Sequence, residues 1–149
     1  MFCDMSLMKH SSGEVTKSAG GATINQPKRL LIVDNNEQES GTFGELAQVL
    51  GYSVTCTWSG REALAYLAAS RFDLLLLDQY VADMYVGDFM ERVLRLPDRP
   101  RIVVMKTSNW KPIKYAKSLG PCELVEKAHV NSIVETLKKC APSAFSERR

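Results

Sequence analysis

Histidine and cysteine are scarce in this chain of 149 residues, with two of the first and four of the second. His10 and His129 stand far apart with no matching ligand pair near either, so a histidine-rich metal site is excluded. Cys3, Cys56, Cys122 and Cys140 are scattered, and none forms the close pairs that zinc sites use. They read as reduced thiols, because a chain able to bury a good core needs no disulfide frame. Charge of one sign is lacking as well: nineteen Lys and Arg face seventeen Asp and Glu, a formal net charge of +2. That balance argues against a nucleic-acid footprint or a polybasic membrane patch. No apolar run nears the roughly eighteen residues that would span a bilayer. Residues 1–10 also lack the basic leader and sustained apolar stretch of a secretory signal. The expected location is the cytoplasm, with neither membrane nor nucleic acid as a partner.

What is present suits one compact domain. Apolar residues make up 45% of the chain and charged ones 24%, the balance of a folding sequence rather than a disordered one. Residues 1–27 are rich in Ser, Gly, Thr and Lys and read as a flexible leader; residues 141–149, with Pro142, read as a flexible tail. Between them, residues 28–140 alternate short apolar runs with helical periodicity. Arg29-Leu30-Leu31-Ile32-Val33 is a strand candidate, and Phe43, Leu46, Ala47 and Leu50 mark a helix that Gly51 stops. Val54 and Cys56 share one side of a second strand. Ser59-Gly60-Arg61-Glu62 has capping-box spacing ahead of Leu64, Leu67 and Ala68. Leu74-Leu75-Leu76-Leu77 is the most apolar run, followed by a helix through Met90, Val93 and Leu94 that Pro97 ends. A fourth strand spans 102–105, a shorter helix 109–119 closes at Gly120, Leu124 and Val125 mark a fifth strand, and Val130, Ile133, Val134 and Leu137 stripe a last helix.

Five strands each followed by a helix predict an α/β fold: a doubly wound five-stranded parallel sheet, (βα)5 and flavodoxin-like, of order 2-1-3-4-5. In such sheets functional groups gather at the carboxyl ends of the strands. Those ends carry Asp34-Asn35, Asp78, Lys106-Thr107-Ser108 and Glu126-Lys127. Carboxylates, a hydroxyl and an ammonium converging on one crevice suit a hard cation and a phosphoryl group. Each also has a plainer reading, since Asp, Asn and Thr-Ser are common helix caps and a lone Lys is usually solvated.

Leu31-Ile32-Val33-Asp34, Asp73-Leu74-Leu75-Leu76-Leu77-Asp78 and Leu119-Gly120 through Val125-Glu126-Lys127 resemble the signatures of response-regulator receiver domains of two-component signalling. The resemblance covers residues 28–140. It implies that Asp78 accepts a phosphoryl group from a histidine kinase or phosphotransfer protein. It further implies that Asp34, Asn35, Asp78 and the main-chain carbonyl of Tyr80 hold Mg²⁺, that Lys127 contacts the phosphoryl oxygens and that Thr107 senses them. A carboxylate attacks an anionic phosphoryl group poorly, so cations must offset the repulsion. A shallow open crevice would suit Mg²⁺, which keeps several waters. Such a domain is no enzyme acting on a separate substrate; at most it phosphorylates and dephosphorylates itself. It signals by docking an unidentified downstream protein, and a homodimer is among the arrangements open to it.

The sequence departs from that pattern in several places. The second residue of the acidic pair is Asn35, which removes one negative charge. The loop Gln79 to Gly87 lacks a Met-Pro pair and brings its glycine one residue late; its Asp83 is either a replacement charge or a solvated loop acid. Lys106 and Thr107 compete for the hydroxyl slot, and Lys106 in that slot would pair with Asp78. Leu124 replaces the aromatic switch residue and Ala128 the proline after the lysine. Around the 109–119 helix, Trp110, Ile113 and Tyr115 are candidates for a docking surface. A degenerate receiver that binds a partner without phosphorylation is thus the alternative. A flavin carrier is disfavoured, because the acidic Asp34-Asn35-Asn36-Glu37 stretch would repel phosphate. Nine residues after Cys140 are too few for a DNA-binding domain, so direct transcription control is not expected.

Overall fold

The computed structural model describes residues 26–107, 109 and 122–141. Five strands form one parallel sheet: β1 (Arg29–Val33), β2 (Ser53–Thr57), β3 (Leu74–Asp78), β4 (Arg101–Lys106) and β5 (Glu123–Glu126), in the order β2-β1-β3-β4-β5. Four described helices cover it: α1 (Glu37–Val49), α2 (Gly60–Ala69), α3 (Val86–Leu94) and α4 (Val130–Lys139). This is the doubly wound sheet that the alternating pattern predicts. Residues 110–119 of the expected 109–119 helix, with Trp110, Ile113 and Tyr115, lie outside the described residues, as do Ser108, nearly all of the leader and residues 142–149 of the tail.

Local signals account for the element ends. Asn36 caps α1 by accepting the Glu39 amide, and Ser59 caps α2 by accepting the Glu62 amide, as the capping-box spacing implies. Gly51 leaves α1 with φ 95°, a conformation that costs any other residue a Cβ clash. The Tyr52 hydroxyl donates to the Leu137 carbonyl at 2.6 Å and ties α4 to the edge strand. The expectation of reduced thiols fails at Cys56, which is disulfide-bonded, while Cys122 and Cys140 are free.

Side chains on a strand alternate between faces, and this sheet buries both. Leu30, Ile32, Leu74, Leu76, Val103 and Met105 pack in one core with Phe43 and Ala47 of α1 and Ile133 and Leu137 of α4. Leu31, Val33, Leu75, Leu77, Ile102 and Val104 pack in the other with Ala63 of α2 and Phe89, Met90 and Val93 of α3. Two residues beyond Ile32, Leu76, Met105 and Val125, on the α1/α4 side, come Asp34, Asp78, Thr107 and Lys127. The same period carries Lys106 to the opposite face, with Val104. The alternation that fills the core therefore also delivers the polar residues to one end of one face.

Candidate functional site

Asp34 follows β1, its amide bonded to the Thr57 carbonyl. One carboxylate oxygen, Oδ1, accepts the Asn36 amide at 2.9 Å. Asp78 ends β3, and Lys127 follows β5 with its amide on the Lys106 carbonyl. The three side chains meet: Lys127 Nζ donates to Asp34 Oδ1 at 3.0 Å and to Asp78 Oδ2 at 3.1 Å. A third acid joins them. Glu39, in the first turn of α1, places Oε2 2.6 Å from the same ammonium. Glu39 Oε2 and Asp34 Oδ2 are both buried, and the Lys127 ammonium is their ionic partner at 2.6 and 3.0 Å.

Electrostatics follow from this burial. Desolvation raises the Asp34 carboxyl to about 6, and the Asn36 amide and Lys127 offset only part of that effect. Burial opposes charge on Lys127 too. Glu39, Asp34 and Asp78 outweigh it and hold the ammonium above the ordinary lysine value. The Asp34 side chain is fully covered and that of Asp78 only 5% exposed, because Lys127 lies against both.

Other expected members are distributed differently. Asn35 and the side chain of Tyr80 are exposed at the mouth, and the Tyr80 amide faces Asp78 Oδ1 at 3.4 Å. Lys106 does not pair with Asp78; its ammonium bonds Glu126, its register partner on β5, at 3.1 Å. Thr107 opens into a 530 Å³ cavity shared with Lys127, Glu39 and Val130. Val130, expected in the buried stripe of the last helix, is exposed at 42%. Asp83 neither adds charge to the site nor stands free in solvent. Its carboxylate accepts the Gly60 amide at 2.7 Å, the Ser59 hydroxyl at 2.8 Å and the Arg61 amide at 3.3 Å, staking the β3–α3 loop to the start of α2. Against a desolvation penalty, those donors hold it below the ordinary carboxylate value.

Two members have no counterpart in the sequence reading. Glu39 stands three residues after Asn36, a spacing that signals only a cap, and its reach to Lys127 depends on where β5 lies. Gln79 is buried at 2% exposure, and its amide bonds Thr107 twice. Nothing in its position after an apolar run announces this.

No protein-family model matches the chain. Among solved structures it is similar to the chemotaxis response regulator CheY4 of Vibrio cholerae, with a TM-score of 0.68 and 24% identity over 76% of this chain and 98% of that one. This is a receiver fold. The signal receiver domain of an HD domain-containing protein from Pseudomonas fluorescens shares it at a TM-score of 0.69 and 19% identity, over 87% of this chain and 97% of that one. In sequence, the receiver-fold chain is 29% identical over 102 residues to the transcriptional regulatory protein CrdR of Helicobacter pylori, covering 67% of this chain. It spans 48% of that relative's length, about half.

Among the described residues no group of three or more His, Cys, Asp or Glu side chains is arranged to hold a metal ion. A cation at this site would rest on Asp34 and Asp78, with the exposed amide of Asn35, the carbonyl of Tyr80 and water. Oδ2 of Asp34, buried and receiving no aligned hydrogen bond, is a hard oxygen donor fitting such an ion, and Mg²⁺ habitually keeps waters beside one or two carboxylates.

Proposed function

We propose that the chain is a response-regulator receiver of two-component signalling in which Asp78 accepts a phosphoryl group from a histidine kinase or phosphotransfer protein. One observation carries this reading: a single ammonium, Lys127, bonded to two carboxylates, Asp34 and Asp78, at the ends of neighbouring parallel strands. A carboxylate oxygen of Asp78 attacks phosphorus as the bond to the donor nitrogen breaks, and the leaving imidazole carries the electron pair away. As the phosphoryl group approaches, Lys127 turns its positive charge to the oxygens being transferred, so repulsion between anions no longer opposes the attack. Asp34 keeps Lys127 in place and, with Asn35 and the Tyr80 carbonyl, would hold Mg²⁺. When bound, that ion neutralises charge on the transferring group. Signalling then proceeds by docking of a downstream protein in the cytoplasm.

The experiment is exposure to a small phosphodonor with and without Mg²⁺, read by intact mass. One phosphoryl group per chain is expected with Mg²⁺, and none in Asp78→Asn. Labelling of Asp78→Asn, or none in the folded wild type, defeats the reading. A second reading is favoured by the narrow exposure of Asp78, the neutral Asn35 and the three acids already on Lys127. It makes the chain an interaction module that works without phosphorylation, and a wild type that stays unlabelled supports it.

A further inference from the structure

The side-chain amide of Gln79 has both ends committed to Thr107. Its Oε1 accepts the Thr107 backbone N–H at 2.7 Å, and its Nε2 donates to Thr107 Oγ1 at 3.0 Å. The first bond fixes which end is which, because a backbone N–H can bond only an acceptor. The amide nitrogen is thereby forced to face the hydroxyl. Thr107 Oγ1 is thus an acceptor towards Gln79, and its own hydrogen must point elsewhere. Among the described residues it has no acceptor, and Thr107 opens into the cavity it shares with Lys127.

The clamp is rigid. Gln79 is buried, follows Asp78 directly, and its backbone N–H donates to the Met105 carbonyl at 3.0 Å. Thr107 continues the face of the sheet that delivers Asp34, Asp78 and Lys127. We infer that Gln79 is a positioning residue that fixes the Thr107 hydroxyl as a hydrogen-bond donor towards an anion seated on Asp78. This rests on the phosphoacceptor reading. A neutral amide does this where a carboxylate would not, since a carboxylate accepts at both oxygens and would draw the hydroxyl hydrogen to itself.

The test uses the full chain, Mg²⁺ and beryllofluoride as the anionic probe, followed by indole fluorescence. Gln79→Glu, measured at alkaline pH where the introduced carboxyl is ionised, keeps the acceptor for the Thr107 amide and reverses the second bond. Its half-saturating beryllofluoride concentration should rise about tenfold, the worth of one charge-assisted hydrogen bond. Thr107→Val should lose as much, and the double variant no more than Thr107→Val alone. A charge effect of the new carboxylate would instead persist in the Thr107→Val background, which would overturn the inference, as would a Gln79→Glu response equal to wild type. Gln79→Met guards against misfolding: it adds no charge, and its loss should also vanish in the Thr107→Val background, whereas equal loss in both backgrounds marks a merely structural role and overturns the proposal. A wild type that never responds to beryllofluoride defeats the phosphoacceptor reading itself, and this inference with it.

Discussion

Asp34 is a carboxylate kept where its charge is costly. Folded Asp34 holds its proton to about 6, while an unfolded carboxylate lets go near 3.8. Between those values the folded state binds more protons than the unfolded one, so this group's contribution is complete below the lower value and is lost as pH rises through the upper. We expect Asp34→Asn to unfold at a higher temperature than wild type at neutral pH, by up to about 3 kcal/mol in stability, with the advantage gone at about pH 4. Thermal melts across that range decide it. The same titration should weaken Mg²⁺ binding as pH falls through 6, because the protonated oxygen is no longer a ligand. Glu39 acts on the neighbouring charge. Glu39→Gln removes one of three acids holding Lys127 and should speed phosphodonor labelling about two- to fivefold, the modest worth of a partly exposed ion pair. Slower labelling would mean that Glu39 steadies Lys127 rather than competing for it.

At the scale of elements, the β3–α3 loop is packed as well as tied. A Cβ on Gly60 would lie 2.6 Å from Met84 Sδ and 2.7 Å from Val81 Cγ1, so the loop sits directly on the first residue of α2. Gly60→Ala should cost about 1–3 kcal/mol and loosen residues 81–84, seen as faster amide exchange there. This loop also marks where sequence reading stopped. Strands, caps and helix stops were legible because they depend on neighbours: Ser59 with Glu62, Gly51 after Leu50, two apolar faces on each strand. The polar strand ends were legible because period-2 alternation carries the buried face one step further. The partners of Asp83, Glu39 and Gln79 were not, since each bond joins segments whose approach is set by the packing of the whole sheet. Lys106 against Thr107 was decidable only through strand register: Asp78 pairs with Met105, one residue before Lys106, and Lys106 with Glu126.

Across the whole molecule, one hydrogen bond reaches from Tyr52, just before the edge strand, to the last described helix. Tyr52→Phe keeps the buried ring and leaves the Leu137 carbonyl without its donor. Equilibrium unfolding should register a loss of about 1 kcal/mol, and the α4 face of the core should show the earliest amide exchange. A loss below a few tenths would mean that solvent replaces the bond.

Lys127 and Asp34 lie 93 residues apart in the chain yet share a hydrogen bond. During synthesis the two acids emerge long before the ammonium that neutralises them. A nascent chain ending before β5 holds Asp34 and Asp78 side by side without the ammonium that offsets their charge. The last described strand to leave the ribosome is therefore the one that delivers the pocket's counter-ion.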